Sequence, residues 1–379
     1  MHIYNFWTTQ RLRLSAAVVQ NKEREPAMAQ STDLTRIGII GATGYVGVEL
    51  ARILSAHPHF RLTALCSKSY SGKRFSEIYP AFRGIADQTL IEQDFDRLAD
   101  DCDIVITALP HGVSAETVPQ LLDRGLRVLD HSGDFRYRDV SVYEAAYKLQ
   151  HPRPDLCGQA VYGIPELYRG QIADASLVSN PGCYPTCTIL PLVPLLKAGL
   201  IESDGLIVDA VSGISGAGRK ADVAFSFCES ESTFRPYGVT GHRHTSEIEQ
   251  ELSFAAGSPV VISFTPHLAP MKRGMLATIY ARPTPGVNQS VIDEALATAY
   301  AQEPFVRLLT EGALPDTRNT AGTNFIDIAS RLDGHSRLLK IFSALDNLGK
   351  GASTQAVQAL NRMSGYPETE GLLTAGFAI

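Results

Sequence analysis

The 379-residue chain has no apolar run of the ~20 residues that a membrane-crossing helix needs, so no span is expected. It has no excess of cations: 34 Lys and Arg stand against 40 Asp and Glu, a formal net charge of -6. That balance lacks the electrostatic footprint of a nucleic-acid binder. It leaves room for a local basic pocket around a small phosphorylated ligand. The six cysteines, at 66, 102, 157, 183, 187 and 228, form no paired CxxC framework. A chain this long does not need disulfide staples, so a reducing compartment is expected, and a thiol is available as a nucleophile. There is no internal repeat and no low-complexity linker. What is there is 44% hydrophobic, enough apolar content for about two domains.

Residues 1–35 read differently from the rest. Arg11 and Arg13 occur with no acid before Asn21, and the apolar stretch 14–19 is short for a signal-peptide core. Lys22-Glu23-Arg24-Glu25-Pro26 has little to bury, so a disordered or non-native tail is expected. A transit peptide and an upstream start codon before Met28 are the alternatives. Cytoplasmic placement is the expectation, with an organelle if the tail is a transit peptide.

Regular structure is predicted from Arg36-Ile37-Gly38-Ile39-Ile40 onward, with further strands at 60–65, 103–109 and 126–130. Between them lie helical patterns, one with Val46, Leu50, Ile53 and Leu54 on one face and another over 114–124. Alternating strands and helices imply a parallel sheet with right-handed crossovers. After about residue 180 the pattern changes. Longer strands at 206–211, 259–266 and 275–281 suit a mixed or antiparallel sheet, and helices are predicted over 291–300 and 353–363.

Gly41-Ala42-Thr43-Gly44-Tyr45-Val46-Gly47 falls between the first strand and the first helix. Glycines there permit a tight turn and close approach of backbone to a pyrophosphate, and the helix start offers N–H groups to the anion. The spacing is GxxGxxG, so position in the fold carries the argument more than the motif. The second strand ends in Cys66-Ser67-Lys68-Ser69, with Lys73-Arg74 beyond. An NAD-binding domain has an acid there for the ribose 2′-hydroxyl. Hydroxyls and cations suit a 2′-phosphate, so NADP (NADPH) is the expected cofactor, unless the stretch is a solvated basic loop.

Asn180-Pro181-Gly182-Cys183-Tyr184-Pro185-Thr186 links an apolar run to a strongly apolar segment, 189–196. A thiol at the start of a helix faces a field that favours thiolate, so its pKa is expected to fall. A small buried hydrophobe, or a pair with Cys187, is the other reading of Cys183. Gly241-His242-Arg243-His244 precedes Ser246 and Glu249, which have capping-box spacing. Both histidines are then predicted on a loop before a helix, where either serves as general acid/base. No third ligand at conventional spacing accompanies them, so no metal site is expected. Ser212-Gly213-Ile214-Ser215-Gly216-Ala217-Gly218-Arg219-Lys220 suits an anion. Arg136 and the 162–166 loop also look site-building.

Together these segments resemble the N-acetyl-γ-glutamyl-phosphate reductases from about Ile37 to the C-terminus. The pieces that carry the resemblance are GATGYVG at 41–47, PGCYPT at 181–186, SGISGAGRK at 212–220, GHRH at 241–244, FTPHLAPMKRGML at 264–276 and DNLGKGA at 346–352. The resemblance implies an α/β protein of the semialdehyde dehydrogenase type. Residues 36–179 and 347–379 would form a Rossmann-type NADP-binding domain, and 180–346 an α+β catalytic and oligomerisation domain. It implies that Cys183 accepts the acyl group and that His242, with His244 close behind, is the acid/base. Gly41, Thr43, Gly44, Tyr45, Val46, Gly47, Ser67, Lys68, Ser215, Gly216 and Asn347 are expected on the cofactor. Arg136, Ser212, Arg219 and Glu247 are expected on the substrate, with Arg219 and Lys220 candidates for its phosphate. The Gly349-Lys350-Gly351 turn is expected near the cofactor. A homo-oligomer, dimer or tetramer, working on a small molecule in arginine biosynthesis is implied. Aspartate-semialdehyde dehydrogenase and the aminoadipate-type enzyme of lysine synthesis would use the same groups. A silent NADP-binding regulator is the rival of another class. The segment His131-Ser132-Gly133-Asp134 departs from the family pattern.

Overall fold

Ile37, Ile39, Ile104, Ile106, Val128 and Leu129 are buried on both faces of a sheet, and so the strands carrying them read as unbroken apolar runs. They belong to β1 (Thr35–Ile40), β3 (Ile104–Thr107) and β4 (Arg127–Asp130), joined by β2 (Phe60–Cys66), β5 (Val161–Tyr162) and β6 (Leu177–Ser179). All pairings are parallel, in the order β2-β1-β3-β4-β6-β5. The computed structural model describes residues 34–219, 221–310 and 312–376. The expected N-terminal tail therefore lies, over residues 1–33, outside the described residues.

The chain leaves β1 in one direction to reach β2 and in the other to reach β3. That reversal opens a crevice beyond the carboxyl ends of β1 and β3, the usual ligand position in such sheets. Helix α1 (Tyr45–Leu54) starts at this crevice and buries Leu50, Ile53 and Leu54 against the sheet. Helix α2 (Val113–Leu122) follows β3. Asp134 accepts from the Gly112 N–H at 2.8 Å and the Ala115 N–H at 2.9 Å, so a residue beyond β4 caps α2.

The second sheet is mixed: β7 (Leu206–Gly213), β8 (Arg235–Pro236), β9 (Ile262–Ala269), β10 (Met275–Ala281), β11 (Val306–Leu308), β12 (Ile326–Asp333) and β13 (Leu338–Leu345). Their order is β11-β12-β13-β10-β7-β9-β8. In β10, Met275, Ala277, Ile279 and Ala281 are buried while Leu276, Thr278 and Tyr280 are half-buried, the alternation of a sheet covered on one face. The cover is α3 (Cys183–Lys197), α4 (His244–Ala256) and α5 (Gln289–Tyr300). Helix α3 is buried from Tyr184 through Leu196, which explains its lack of a polar face. Helix α6 (Thr354–Met363) leaves the second sheet and packs Ala356, Val357, Leu360 and Met363 into the core around Ile37 and Leu50.

Two local expectations are corrected. Ser246 and Glu249 do not cap α4, which begins at His244 without a side-chain cap. Ser246 Oγ lies 3.1 Å from the Tyr137 hydroxyl, and Glu249 accepts from the Ile262 N–H at 3.1 Å. Partners distant in sequence hold both side chains in place of the local cap. Strands β12 and β13 escaped the sequence reading, and they complete the sheet beside β10.

Candidate active site

Cys183 is the first residue of α3, and Gly182 is its extended N-cap. Two glycines let other parts of the chain reach it. A Cβ on Gly182 would come within 2.4 Å of His244 Nε2, so the imidazole lies directly on the residue before the thiol. A Cβ on Gly351 would come within 2.9 Å of Cys183 Cβ, so the turn at Gly349–Ser353 closes the other side. Any side chain at either position would push the nucleophile or its neighbour away.

The turn before Cys183 rests on a buried ion pair. Arg136 Nη1 donates to Glu247 Oε2 at 3.0 Å, with side chains 5% and 0% exposed. Arg136 also donates to the carbonyls of Asn180, at 2.9 Å, and His131, at 2.8 Å. The other oxygen of Glu247 accepts from the Gly182 N–H at 2.9 Å and the Tyr162 hydroxyl at 2.7 Å. Both residues, expected on the substrate, are thus committed to each other and to the nucleophile turn. Asn180, not singled out in the sequence, donates to the Ala352 carbonyl at 3.0 Å and ties that turn to the Gly351 segment.

Burial pushes the Cys183 thiol up to about 11, against the pull of the Tyr184 N–H and the Arg136 charge. The direction is opposite to the one expected from the helix start, although Cys183 is only partly buried. A helix terminus supplies about 0.3–1 kcal/mol, less than one pKa unit, whereas burial moves a group by up to about 3–5 units. Burial also pushes His242 down to about 4, aided by Arg243. It holds His244 well below the ordinary histidine value, with His242, Arg136 and Arg243 adding to the effect. The resting site is a neutral thiol beside neutral imidazoles. His244 Nδ1 is buried with no hydrogen-bond partner among the described residues. His242 Nδ1 accepts from the His244 N–H at 3.1 Å, and its ring packs on Tyr184, Tyr237 and Phe264. His244 heads α4 rather than lying on the preceding loop. Cys187 points away from this chemistry, its sulfur 3.2 Å from Ser343 Oγ.

The crevice at β1 and β3 fits a dinucleotide. Gly41 has φ of +86°, and a Cβ there would come within 2.3 Å of the Ala108 carbonyl oxygen after β3. A Cβ on Gly47 would come as close to the Gly41 carbonyl oxygen, at 2.4 Å. Gly44 differs: a Cβ would meet nothing nearer than 3.5 Å, and α1 begins there without a side-chain cap. That leaves an open approach to the first-turn N–H groups of Tyr45, Val46 and Gly47, as a phosphate needs. Thr43 Oγ1 lies 2.9 Å from Ser67 Oγ at the end of β2, and Lys68 follows, exposed. Arg74 pairs with Asp87 at 2.8 Å and is occupied.

The loop after β7 also reaches this region. Ser215 Oγ accepts from Asn347 Nδ2 at 2.9 Å, Gly216 lies against Ser212 Oγ, and Asn347 Oδ1 accepts from the Gly274 N–H at 2.8 Å. Ser212 is buried beside the nucleophile helix and donates to the Gly213 carbonyl. Arg219 Nη1 donates to the Thr43 carbonyl at 3.0 Å, in the dinucleotide loop. Lys220 lies outside the described residues. The Gly349–Ser353 turn touches the cofactor helix, Ser353 Oγ donating to the Val46 carbonyl at 3.2 Å, while the Lys350 side chain is fully buried and donates to Glu166 at 2.5 Å and Gln358 at 2.6 Å. It braces the turn beside Cys183 from behind. The 162–166 loop thus supplies Tyr162, which holds Glu247 under the Gly182 turn, and Glu166, which holds Lys350. Among the described residues no group of three or more His, Cys, Asp or Glu side chains is placed to hold a metal ion. No described helix is long and apolar enough to cross a membrane.

Comparison with known proteins agrees with this architecture. The family described as semialdehyde dehydrogenase, NAD binding domain, matches residues 36–175, and semialdehyde dehydrogenase, dimerisation domain, matches 183–347. The N-acetyl-γ-glutamyl-phosphate reductase of Acetivibrio thermocellus is 50% identical over 344 residues, covering 91% of this chain and 99% of that protein. That of Citrifermentans bemidjiense is 49% identical over 340 residues, covering 89% and 98%. Among solved structures, aspartate semialdehyde dehydrogenase II of Vibrio cholerae superposes with a TM-score of 0.67 at 17% identity, over 88% of this chain and 99% of that one. The Candida albicans enzyme solved with NADP gives 0.64 at 17%, over 88% and 99%. At that identity the structural likeness speaks for the fold, and the curated relatives speak for the lineage. The chain belongs to the N-acetyl-γ-glutamyl-phosphate reductase family and has the semialdehyde dehydrogenase fold.

Proposed function

We propose that this protein reduces N-acetyl-γ-glutamyl phosphate to N-acetylglutamate 5-semialdehyde and inorganic phosphate, with NADPH, in arginine biosynthesis. The observation that carries the reading is Cys183 at the head of α3 with the His244 imidazole seated on Gly182. His244 is the acid/base, ahead of His242. It lies on Gly182, the residue before the nucleophile, whereas His242 packs on aromatic rings and receives the His244 N–H.

The Cys183 thiol passes its proton to neutral His244, and the thiolate attacks the acyl carbonyl. First-turn N–H groups of α3 take the developing oxyanion. The carbon–oxygen bond to phosphate breaks, and the acyl group stays on sulfur as a thioester. The reduced nicotinamide, when bound, supplies the hydride that takes this acyl group to the aldehyde level. His244 then returns its proton to sulfur as the aldehyde departs. Arg136 and Glu247 act as positioning residues, because their polar atoms hold the Asn180–Gly182 backbone. Gly41, Gly44, the first turn of α1, Ser67 and Lys68 hold the cofactor, with Ser215, Gly216 and Asn347 facing it from the second sheet.

Residues 36–179 with 347–379 form the NADP-binding domain and 180–346 the catalytic domain. The working form is a cytoplasmic homo-oligomer joined through the open face of the second sheet. The test is the reverse reaction. Semialdehyde, phosphate and NADP should give phosphate-dependent nicotinamide reduction, lost by more than about 1000-fold in Cys183→Ser with NADPH binding intact. A signal with aspartate semialdehyde alone would overturn the substrate. Silence with every semialdehyde despite tight NADP binding would point to a regulator.

A further inference from the structure

Among the described residues, Arg219 is the cation that the loop after β7 brings to the dinucleotide loop. Arg219 donates to the Thr43 carbonyl at 3.0 Å, an oxygen that also accepts from the Tyr79 hydroxyl at 2.8 Å. The hydroxyl of the same Thr43 lies 2.9 Å from Ser67 Oγ. One residue, Thr43, therefore touches both the guanidinium and the serine that ends β2. The guanidinium carbon sits 5.3 Å from the Tyr79 ring centroid and 5.6 Å from that of Tyr70. Two aromatic faces orient a planar cation, which limits the entropy lost when it binds an anion. Arg219 is exposed, and no carboxylate pairs with it among the described residues. Its remaining N–H groups are available to a ligand.

The end of the second strand is where such domains read the ribose 2′ position. An acid there would repel a phosphate, and Cys66-Ser67-Lys68-Ser69 has none. Arg74, the other arginine close in sequence, is already paired with Asp87. A guanidinium binds phosphate through paired N–H groups, which an ammonium such as Lys68 cannot do.

We infer that Arg219 takes the 2′-phosphate of the cofactor together with Ser67 and Lys68, and so sets the preference for NADPH over NADH. This inference rests on the NADPH reading given above. Arg219 arrives from the segment that follows β7, so the contact also ties that loop to the first sheet. The same loop holds Ser215 against Asn347.

The test uses the full chain without substrate. NADPH and NADH are titrated by nicotinamide fluorescence, and 2′,5′-ADP and 5′-AMP by competition, for wild type, Arg219→Met and Arg219→Lys. Arg219→Met should weaken NADPH and 2′,5′-ADP by about 10–100-fold, the size of a lost charge-assisted hydrogen bond. NADH and 5′-AMP should change by less than about 3-fold, and Arg219→Lys should restore part of the loss. Equal weakening of NADPH and NADH would overturn the assignment and leave Arg219 a clamp on the loop. An unchanged NADPH affinity with a raised KM for the acyl phosphate would return it to the substrate. A wild type that binds NADH as well as NADPH would refute the cofactor reading itself, before any substitution is compared.

Discussion

At the scale of single residues, the site stores its nucleophile in the neutral form. Burial outweighs the helix terminus at Cys183, and it keeps both neighbouring imidazoles unprotonated. A raised thiol value means that thiolate becomes abundant only toward alkaline pH. Iodoacetamide labelling of free enzyme, followed by mass at the Cys183 peptide, should therefore keep rising from pH 7 to beyond pH 9. Because neutral His244 holds no thiolate at rest, His244→Asn should change that labelling by less than about 3-fold. Turnover should fall by about 100-fold or more, as for a lost general base. A labelling plateau below pH 7 that vanishes in His244→Asn would instead show a resting thiolate–imidazolium pair. Cys183, both histidines and the cofactor-loop glycines could be singled out in the sequence as candidates because local position marks them. The protonation of the pair could not, because it depends on what α4 and the Gly351 turn bury around it. Asn180 and Glu166 were missed in detail for the same reason: nothing local marks a side chain whose partner lies far along the chain.

At the scale of elements, the turn at Gly349–Ser353 is held from opposite sides. Gly351 presses on Cys183, and Lys350 reaches into the core to Glu166 and Gln358. Burial holds the Lys350 ammonium below its ordinary value while the Glu166 charge opposes the shift. Lys350→Met would leave a fully buried carboxylate unpaired, which costs about 3–5 kcal/mol. The second change, Glu166→Gln in the same chain, should recover most of that loss, since the amide oxygen still accepts from Gln358. Urea midpoints of the two variants check this. A double variant no more stable than the single would show that Lys350 stabilises the turn by packing rather than by its charge. The family motif around Lys350 was visible in the sequence, but the direction of the Lys350 side chain was not. Only the path of the side chain separates a lysine that faces a ligand from one that props up a glycine.

At the scale of the whole molecule, the second sheet keeps one face uncovered. Ile207 is 44% exposed there, in register with Ser263 on β9 and Tyr280 on β10. If the proposed oligomer joins through this face, Ile207→Asp buries an unpaired carboxylate in the interface and should lower the sedimenting mass to that of a single chain. A variant that keeps the wild-type mass would move the interface elsewhere. The substitution lies across the sheet from α3, so cofactor affinity should stay within about 2-fold.

The sequence by itself determined the two-part α/β plan, the dinucleotide loop, the thiol and its histidines. Each of these is written in short-range signals: apolar periodicity, glycine spacing, and reactive residues at turn-to-helix junctions. Tertiary structure alone decided that His244 lies on Gly182, that burial raises the Cys183 thiol, and that Arg136 and Glu247 hold the turn beneath it. It alone carried Arg219 across to Thr43. These are matters of desolvation and of contact between segments far apart in the chain, Gly182 with His244, Arg136 with Glu247 and Thr43 with Arg219, which come together only in the folded protein.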